Sequence, residues 1–186
     1  MWKFFAAMMA SFLAISIILC AITSVKQGAG FFTVAKKNLQ TFIISLTTAS
    51  SAAAFGSNID AAKKRYGVAD EMAGFSVPLG MIMHNPVAAC YNILLVIYFA
   101  ASYGVSCSFG WLIIAVIVST TVAISTPPIP GGASVGYALL ISQLGVPDEA
   151  LAVILVLDVI TDFIVTASNA MFCRSLLPIF PASWGI

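Results

Sequence analysis

Ser125-Thr126-Pro127-Pro128-Ile129-Pro130-Gly131-Gly132-Ala133-Ser134 interrupts one of the most apolar parts of a 186-residue chain. Proline supplies no backbone N–H and glycine imposes no φ restraint, so a helix arriving here ends. Residues 109–126, before the stretch, are apolar and long enough to go deep into a bilayer. Residues 133–144 leave only twelve for the way back. Irregular backbone at membrane depth survives only inside protein or beside a watery cavity. The stretch is therefore expected at the tip of a re-entrant helical hairpin, facing something polar.

A second region has the same form. Residues 39–47 are an apolar run of nine, about 14 Å of helix, or half a hydrocarbon core. They lead into Thr48-Ala49-Ser50-Ser51-Ala52-Ala53-Ala54-Phe55-Gly56, too polar for a lipid-facing span, and a return arm reaches Lys63-Lys64-Arg65. Residues 4–25, 72–101 and 150–173 each exceed the ~20 residues of a full crossing. The first run has 22 residues, too long for a signal-peptide core, and reads as a retained span. The expected fold is an all-α membrane protein with three spanning helices and two re-entrant hairpins.

Composition agrees. Hydrophobic residues make up 61% of the chain and charged residues 8%, whereas soluble domains run near a quarter charged. The expected setting is the cell membrane, crossed several times, with the lipid bilayer as a partner. A net charge of +1 leaves no basic stripe for nucleic acid. Cys20, Cys90, Cys107 and Cys173 are scattered without a CxxC, so no metal site is expected. If residues 4–25 start outside, Lys26, Lys36, Lys37, Lys63, Lys64, Arg65 and Arg174 all fall inside. Only Lys3 is then outside, as the positive-inside rule asks.

The two hairpin regions are related. A shift of 78 lays Gly67-Val68-Ala69-Asp70-Glu71 on Gly145-Val146-Pro147-Asp148-Glu149, with four identities in five. Without a gap it also lays Leu46-Thr47-Thr48 on Ile124-Ser125-Thr126, and Ser50-Ser51 on Pro128-Ile129. Each unit reads hairpin, short link, long span. One span separates the hairpins, so the units are inverted, the plan of many secondary transporters with a site at the midplane. The expected divisions are residues 1–30 (first span), 31–106 (first unit) and 107–186 (second unit).

The same shift pairs His84, in His84-Asn85-Pro86, with Asp162. Both lie mid-span, where ionisable groups are costly and mark function. Pro86 removes one helical hydrogen bond near Ile82, so a broken helix is expected. For His84 the plainer alternative is a helix cap or an interhelical bond. For Asp162 it is a structural carboxylate bonded to backbone. Asp158, Asp162, Thr166, Asn169 and Cys173 recur at helical spacing and form one polar stripe, facing a cavity or partner helices. Asp158, one turn further out, is expected to tie its helix to a neighbour.

These features resemble the dicarboxylate/amino acid:cation symporter family, the glutamate transporter superfamily. They are the Ser50-Ser51 tip, Phe75-Ser76-Val77-Pro78-Leu79-Gly80, the Pro130-Gly131-Gly132 tip and the polar last span. The resemblance covers residues 31–180, the C-terminal half of such a protein, with residues 4–25 as its sixth span. It implies that Ser50 and Ser51 present hydroxyl and backbone groups to a substrate carboxylate. Ile129, Pro130, Gly131 and Gly132 would form the gate. Asp162 would hold a substrate amino group, Asn169 the main carboxylate, and Thr166 would support the conformation.

Three departures refine this. Val165 stands where acidic-substrate members carry arginine, and it cannot form a bidentate fork. His84-Asn85-Pro86-Val87-Ala88 replaces a sodium-binding Asn-Met-Asp-Gly-Thr signature. Cys173 replaces a sodium-binding aspartate. The resemblance thus implies a symporter of a small polar solute, an amino acid or dicarboxylate, neutral more than acidic, with elevator-type movement. The coupling ion is expected to be Na+ or H+, through His84, Asn85, Asp162 and a carbonyl-built site at Ile124 and Thr126. It further implies a homo-oligomer, a trimer, or a partner chain supplying the first half. The alternatives are a half-transporter subunit without transport of its own, and a channel-like subunit. No catalytic residue is expected: Asp158 and Asp162 sit four apart on one helix, whereas acid/base pairs usually converge from different elements.

Overall fold

The computed structural model describes residues 2–173, and the described residues form α-helices with no strand. The helices are α1 (Trp2–Gln27), α2 (Phe31–Thr48), α3 (Phe55–Asp60), α4 (Asp70–Met83), α5 (Pro86–Ser102), α6 (Phe109–Ser125), α7 (Ser134–Gln143) and α8 (Glu149–Phe172). A π-helical turn, Ala61–Arg65, extends α3. Three segments are long and apolar enough to cross a membrane: α1, α4 with α5 (Asp70–Ser102), and α8. They coincide with the three expected spans. Arg174, expected on the inner face, lies outside the described residues.

The middle span is broken where proline dictates. α4 stops at Met83 and Pro86 opens α5 at its first turn, where a missing N–H costs nothing. The freed Ile82 carbonyl does not stay open, because Asn85 Nδ2 donates to it at 2.9 Å. The same nitrogen donates to the Ala123 carbonyl at 3.1 Å, stitching the break to α6. On the other side, Val87 N–H donates to Asn169 Oδ1 at 3.0 Å. An orphan donor of the α5 N-terminus is thus satisfied by the last span.

The first arm is longer than its apolar run. α2 has 18 residues, about 27 Å of helix, because Lys36 and Lys37 are good helix formers and Asn38 faces inward. Val34, Asn38, Thr41 and Ser45 are its buried face, while Phe32, Leu39 and Ile43 are exposed. The helix is polar inside and apolar outside, as expected where lipid surrounds a polar interior. Its most extensive packing is against α8.

The second helix pair is closed at both ends. Ser108 Oγ caps α6 by accepting Trp111 N–H at 3.2 Å. Trp111 Nε1 donates to the Leu144 carbonyl at 2.9 Å, tying the root of α6 to that of α7. At the tip end, a Cβ at Gly136 would lie 2.5 Å from Val122 Cγ1, so the two arms meet there with nothing between them.

The main core gathers α1, α5, α7 and α8 around Tyr91. Phe4 and Phe12 of α1 lie 6.3 and 6.4 Å from its ring, and Tyr137 of α7 lies 6.5 Å away. No disulfide joins the four cysteines. Cys173 departs from the expected polar stripe. It is buried at the end of α8, and its carbonyl would lie 2.4 Å from a Cβ placed at Gly80 of α4.

Candidate functional site

The turn after α2 and the turn after α6 meet head to head. Ser50 Oγ donates to the Pro128 carbonyl at 3.1 Å, and Ala52 N–H donates to the same carbonyl at 3.3 Å. Each turn is built from conformations a helix rejects. Ala49 takes the left-handed region at φ 47° and Gly131 does so at φ 70°. For Ala49 that conformation costs about 1 kcal/mol. At Gly132 a Cβ would fall 2.6 Å from the Pro127 carbonyl, so this position requires glycine on space alone.

Behind the tips is a cavity of about 60 Å³, bounded by both turns, the α4–α5 break and α8. Its polar lining comes from Ser51, Asn85, Tyr91, Asn92, Thr126, Tyr137, Asp158, Asp162, Thr166 and Asn169. Ile129 and Gly132 also line it. Of the other expected residues, Ser50 serves the tip contact, and Pro130 and Gly131 lie outside the lining. Ile124 is 38% exposed and His84 is buried, and neither contributes to the wall. His84 is instead the C-terminal residue of the α4 break, its N–H donating to the Gly80 carbonyl at 2.9 Å.

Asp162 is the acid that reaches both the cavity and a tip. Thr166 Oγ1 donates to its Oδ1 at 2.8 Å, and the carboxylate lies against the Gly131 backbone amide. Asp158 is committed differently: Tyr137 Oη donates to its Oδ1 at 2.5 Å, tying α8 to α7. That is the interhelical role expected of it. Thr161 Oγ1 and Tyr91 Oη are 3.0 Å apart, a further link from α8 to α5. Asn169 accepts from α5 through its oxygen, which leaves its amide N–H groups for the cavity. Thr126 Oγ1 donates back to the Val122 carbonyl at 2.8 Å.

Val165 lines the wall at 7% exposure, and among the described residues no lysine or arginine lines this cavity. No group of three His, Cys, Asp or Glu residues among the described residues is arranged to hold a metal. Sequence reasoning missed Tyr91, Asn92 and Tyr137. Asn92 carried a signal, since Asn85, Ala88 and Asn92 recur at helical spacing on an otherwise apolar helix. Tyr137 carried none, because its partner is 21 residues away.

The sequence profile of the Sodium:dicarboxylate symporter family matches residues 1–172. The chain belongs to that family. Among similar proteins, an "Excitatory amino acid transporter" of Caenorhabditis elegans is 27% identical over 149 residues, covering 76% of this chain and 30% of the relative. "Excitatory amino acid transporter 1" of Homo sapiens is 26% identical, covering 76% of this chain and 28% of its own length. "Excitatory amino acid transporter 2" of Homo sapiens is 24% identical, with 76% and 26% covered. The chain therefore spans less than a third of the length of these relatives. Family and relatives are transporters, not enzymes, and this member is a multi-pass protein of the cell membrane.

Proposed function

We propose that this family member is the substrate-carrying part of a secondary active transporter for a small polar solute of the amino acid or dicarboxylate class. The observation that carries the reading is Asp162, a carboxylate on a long apolar helix, opening into a cavity roofed by two touching turns. In this reading α2 with α3, and α6 with α7, are the re-entrant hairpins of an inverted repeat over residues 31–106 and 107–186, with residues 1–30 as a separate span. The Ser50–Pro128 contact supports it, since these two residues are mates under the 78-residue shift.

Asp162 holds a solute amino group, the Asn169 amide and the Ser51 tip receive a carboxylate, and Ile129 to Gly132 act as the gate. About 60 Å³ accommodates a few waters. A solute of amino-acid size therefore requires the tips to part, breaking the Ser50 and Ala52 bonds to Pro128, and the loaded unit then moves as an elevator. The relatives carry "excitatory amino acid" in their names, but Val165 and a wall without cations favour a neutral solute here. A wall with no lysine or arginine leaves a second carboxylate without a counter-charge, which is expensive away from water.

The coupling ion, Na+ or H+, travels as cargo. The family description favours sodium, with oxygen ligands from Thr126, Ile124 and the Asn85 break, while His84 and Asp162 serve the proton alternative. The proposed assembly is a homo-oligomer, a trimer, or a complex with a chain supplying the rest of the relatives' length. The test is uptake of labelled neutral and acidic amino acids into proteoliposomes, under a sodium gradient or a pH gradient. Uptake by Asp162→Asn at the wild-type rate would remove the role given to that carboxylate. Uptake that requires sodium and ignores the pH gradient would remove the role given to His84.

A further inference from the structure

On the outer face of α2 two apolar grooves run side by side and meet at one lysine. The first, about 670 Å³, lies between Leu39 and Ile43 of α2 and the Arg65 side chain. The second, about 480 Å³, lies between α2, Leu13 of α1 and Met171 of α8. Lys36 and Leu39 belong to both, so they form the ridge between them. Leu39 and Ile43 are about half exposed, and Leu13 is 64% exposed.

The charges around this ridge are held in unequal ways. Arg65 Nη1 donates to the Lys37 carbonyl at 2.5 Å and Nη2 donates to Gln40 Oε1, so its guanidinium is fixed at the rim. Lys37 Nζ sits 4.9 Å from the centre of the Tyr66 ring. Lys36 is exposed and has no hydrogen bond or ion pair among the described residues. Nearby acids do not neutralise it: Asp60 and Asp70 pair with Lys64 and Lys63.

We propose that this face is a binding site for a diacyl anionic phospholipid, with the headgroup phosphate on Lys36 and Arg65 and one acyl chain in each groove. Two apolar channels that share one cationic end match two hydrocarbon tails that share one anionic headgroup. A helix from a protein partner would fill one groove and leave Lys36 facing apolar surface. Lys26 at the end of α1 and the basic residues of α2 and the π-helical turn fall on the face expected to be cytoplasmic, where anionic lipids concentrate and basic pockets between helices take their headgroups. This inference is independent of the transport reading, since it uses none of the cavity residues.

The test is native mass spectrometry of the purified full chain in non-ionic detergent, titrated with dioleoylphosphatidylglycerol, dioleoylphosphatidylcholine or the single-chain lysophosphatidylglycerol. Phosphatidylglycerol should be retained severalfold more than either of the others. Lys36→Gln should reduce that preference about fivefold, the factor one basic residue supplies at an anionic surface. Lys36→Arg should keep it, as should Lys64→Gln, whose lysine belongs to neither groove. Equal retention of the three lipids, or an equal effect of Lys36→Gln and Lys64→Gln, would overturn the proposal. So would a photo-crosslinker at Leu39 that captures a protein chain rather than lipid in native membranes.

Discussion

Gly74 and Gly80 lie six residues apart in α4 and should respond to the same substitution with opposite signs. A Cβ at Gly80 would sit 2.4 Å from the Cys173 carbonyl oxygen, a backbone atom at the end of α8. Real contacts of this kind stay above 3.0 Å, so α4 and α8 would have to separate by at least ~0.6 Å. No side chain can rotate away to absorb the overlap. Overpacking of this kind costs about 1–3 kcal/mol. A Cβ at Gly74 meets nothing within 4 Å, so Gly74→Ala gains only helix propensity, up to ~1 kcal/mol. The pair can be measured by SDS-driven unfolding in mixed micelles, followed by helical circular dichroism. Gly80→Ala should unfold at lower SDS fraction than wild type and Gly74→Ala at equal or higher. If both variants shift the same way by the same amount, the close approach of α4 to Cys173 is wrong.

Four further outcomes follow from other contacts. Tyr137→Phe leaves the buried Asp158 carboxylate without its donor, and the same unfolding assay should register a loss of about 1.5–3 kcal/mol. Ser108→Ala removes the α6 cap and should cost about 1 kcal/mol, with Ser108→Asp restoring it. Asn169→Leu strands the buried Val87 N–H, at a cost of about 1–3 kcal/mol, and should be visible as faster amide exchange at the start of α5. Val165→Arg places a guanidinium in the cavity wall, and competition uptake should shift toward acidic amino acids by tenfold or more; no shift would mean that Val165 does not set solute charge.

What could be read without coordinates was whatever depends on one stretch of chain. The three spans follow from run length, and the α4–α5 break follows from Pro86, whose missing N–H acts within one turn. The alignment of Asp162, Thr166 and Asn169 along the cavity follows from helical spacing alone. What escaped depends on contacts between distant segments. The apolar run of residues 39–47 hid the length of α2, because Asn38 reads as a surface residue until Tyr66 Oη is found donating to it at 3.0 Å. Cys173 shares the spacing of the stripe, but α8 ends there and the close approach of α4 at Gly80 takes it out of the cavity. Ile82 looked like a free carbonyl, yet the neighbouring Asn85 covers it. The tip-to-tip bond joins residues 78 apart, which no local pattern reports.

The contact between Gly136 and Val122 has a mechanical consequence. With no gap between α6 and α7 just behind the tip, and with Trp111 bolting their base to Leu144, the pair is stiff as a plank. Its arms cannot scissor apart to let a solute through. Bending is left to the short runs that anchor it, residues 103–108 before α6 and 144–148 after α7, where Gly104 and Gly145 already take positive φ. Any swing would therefore start at the two ends farthest from the cavity, and a small rotation there would carry the tip through a long arc.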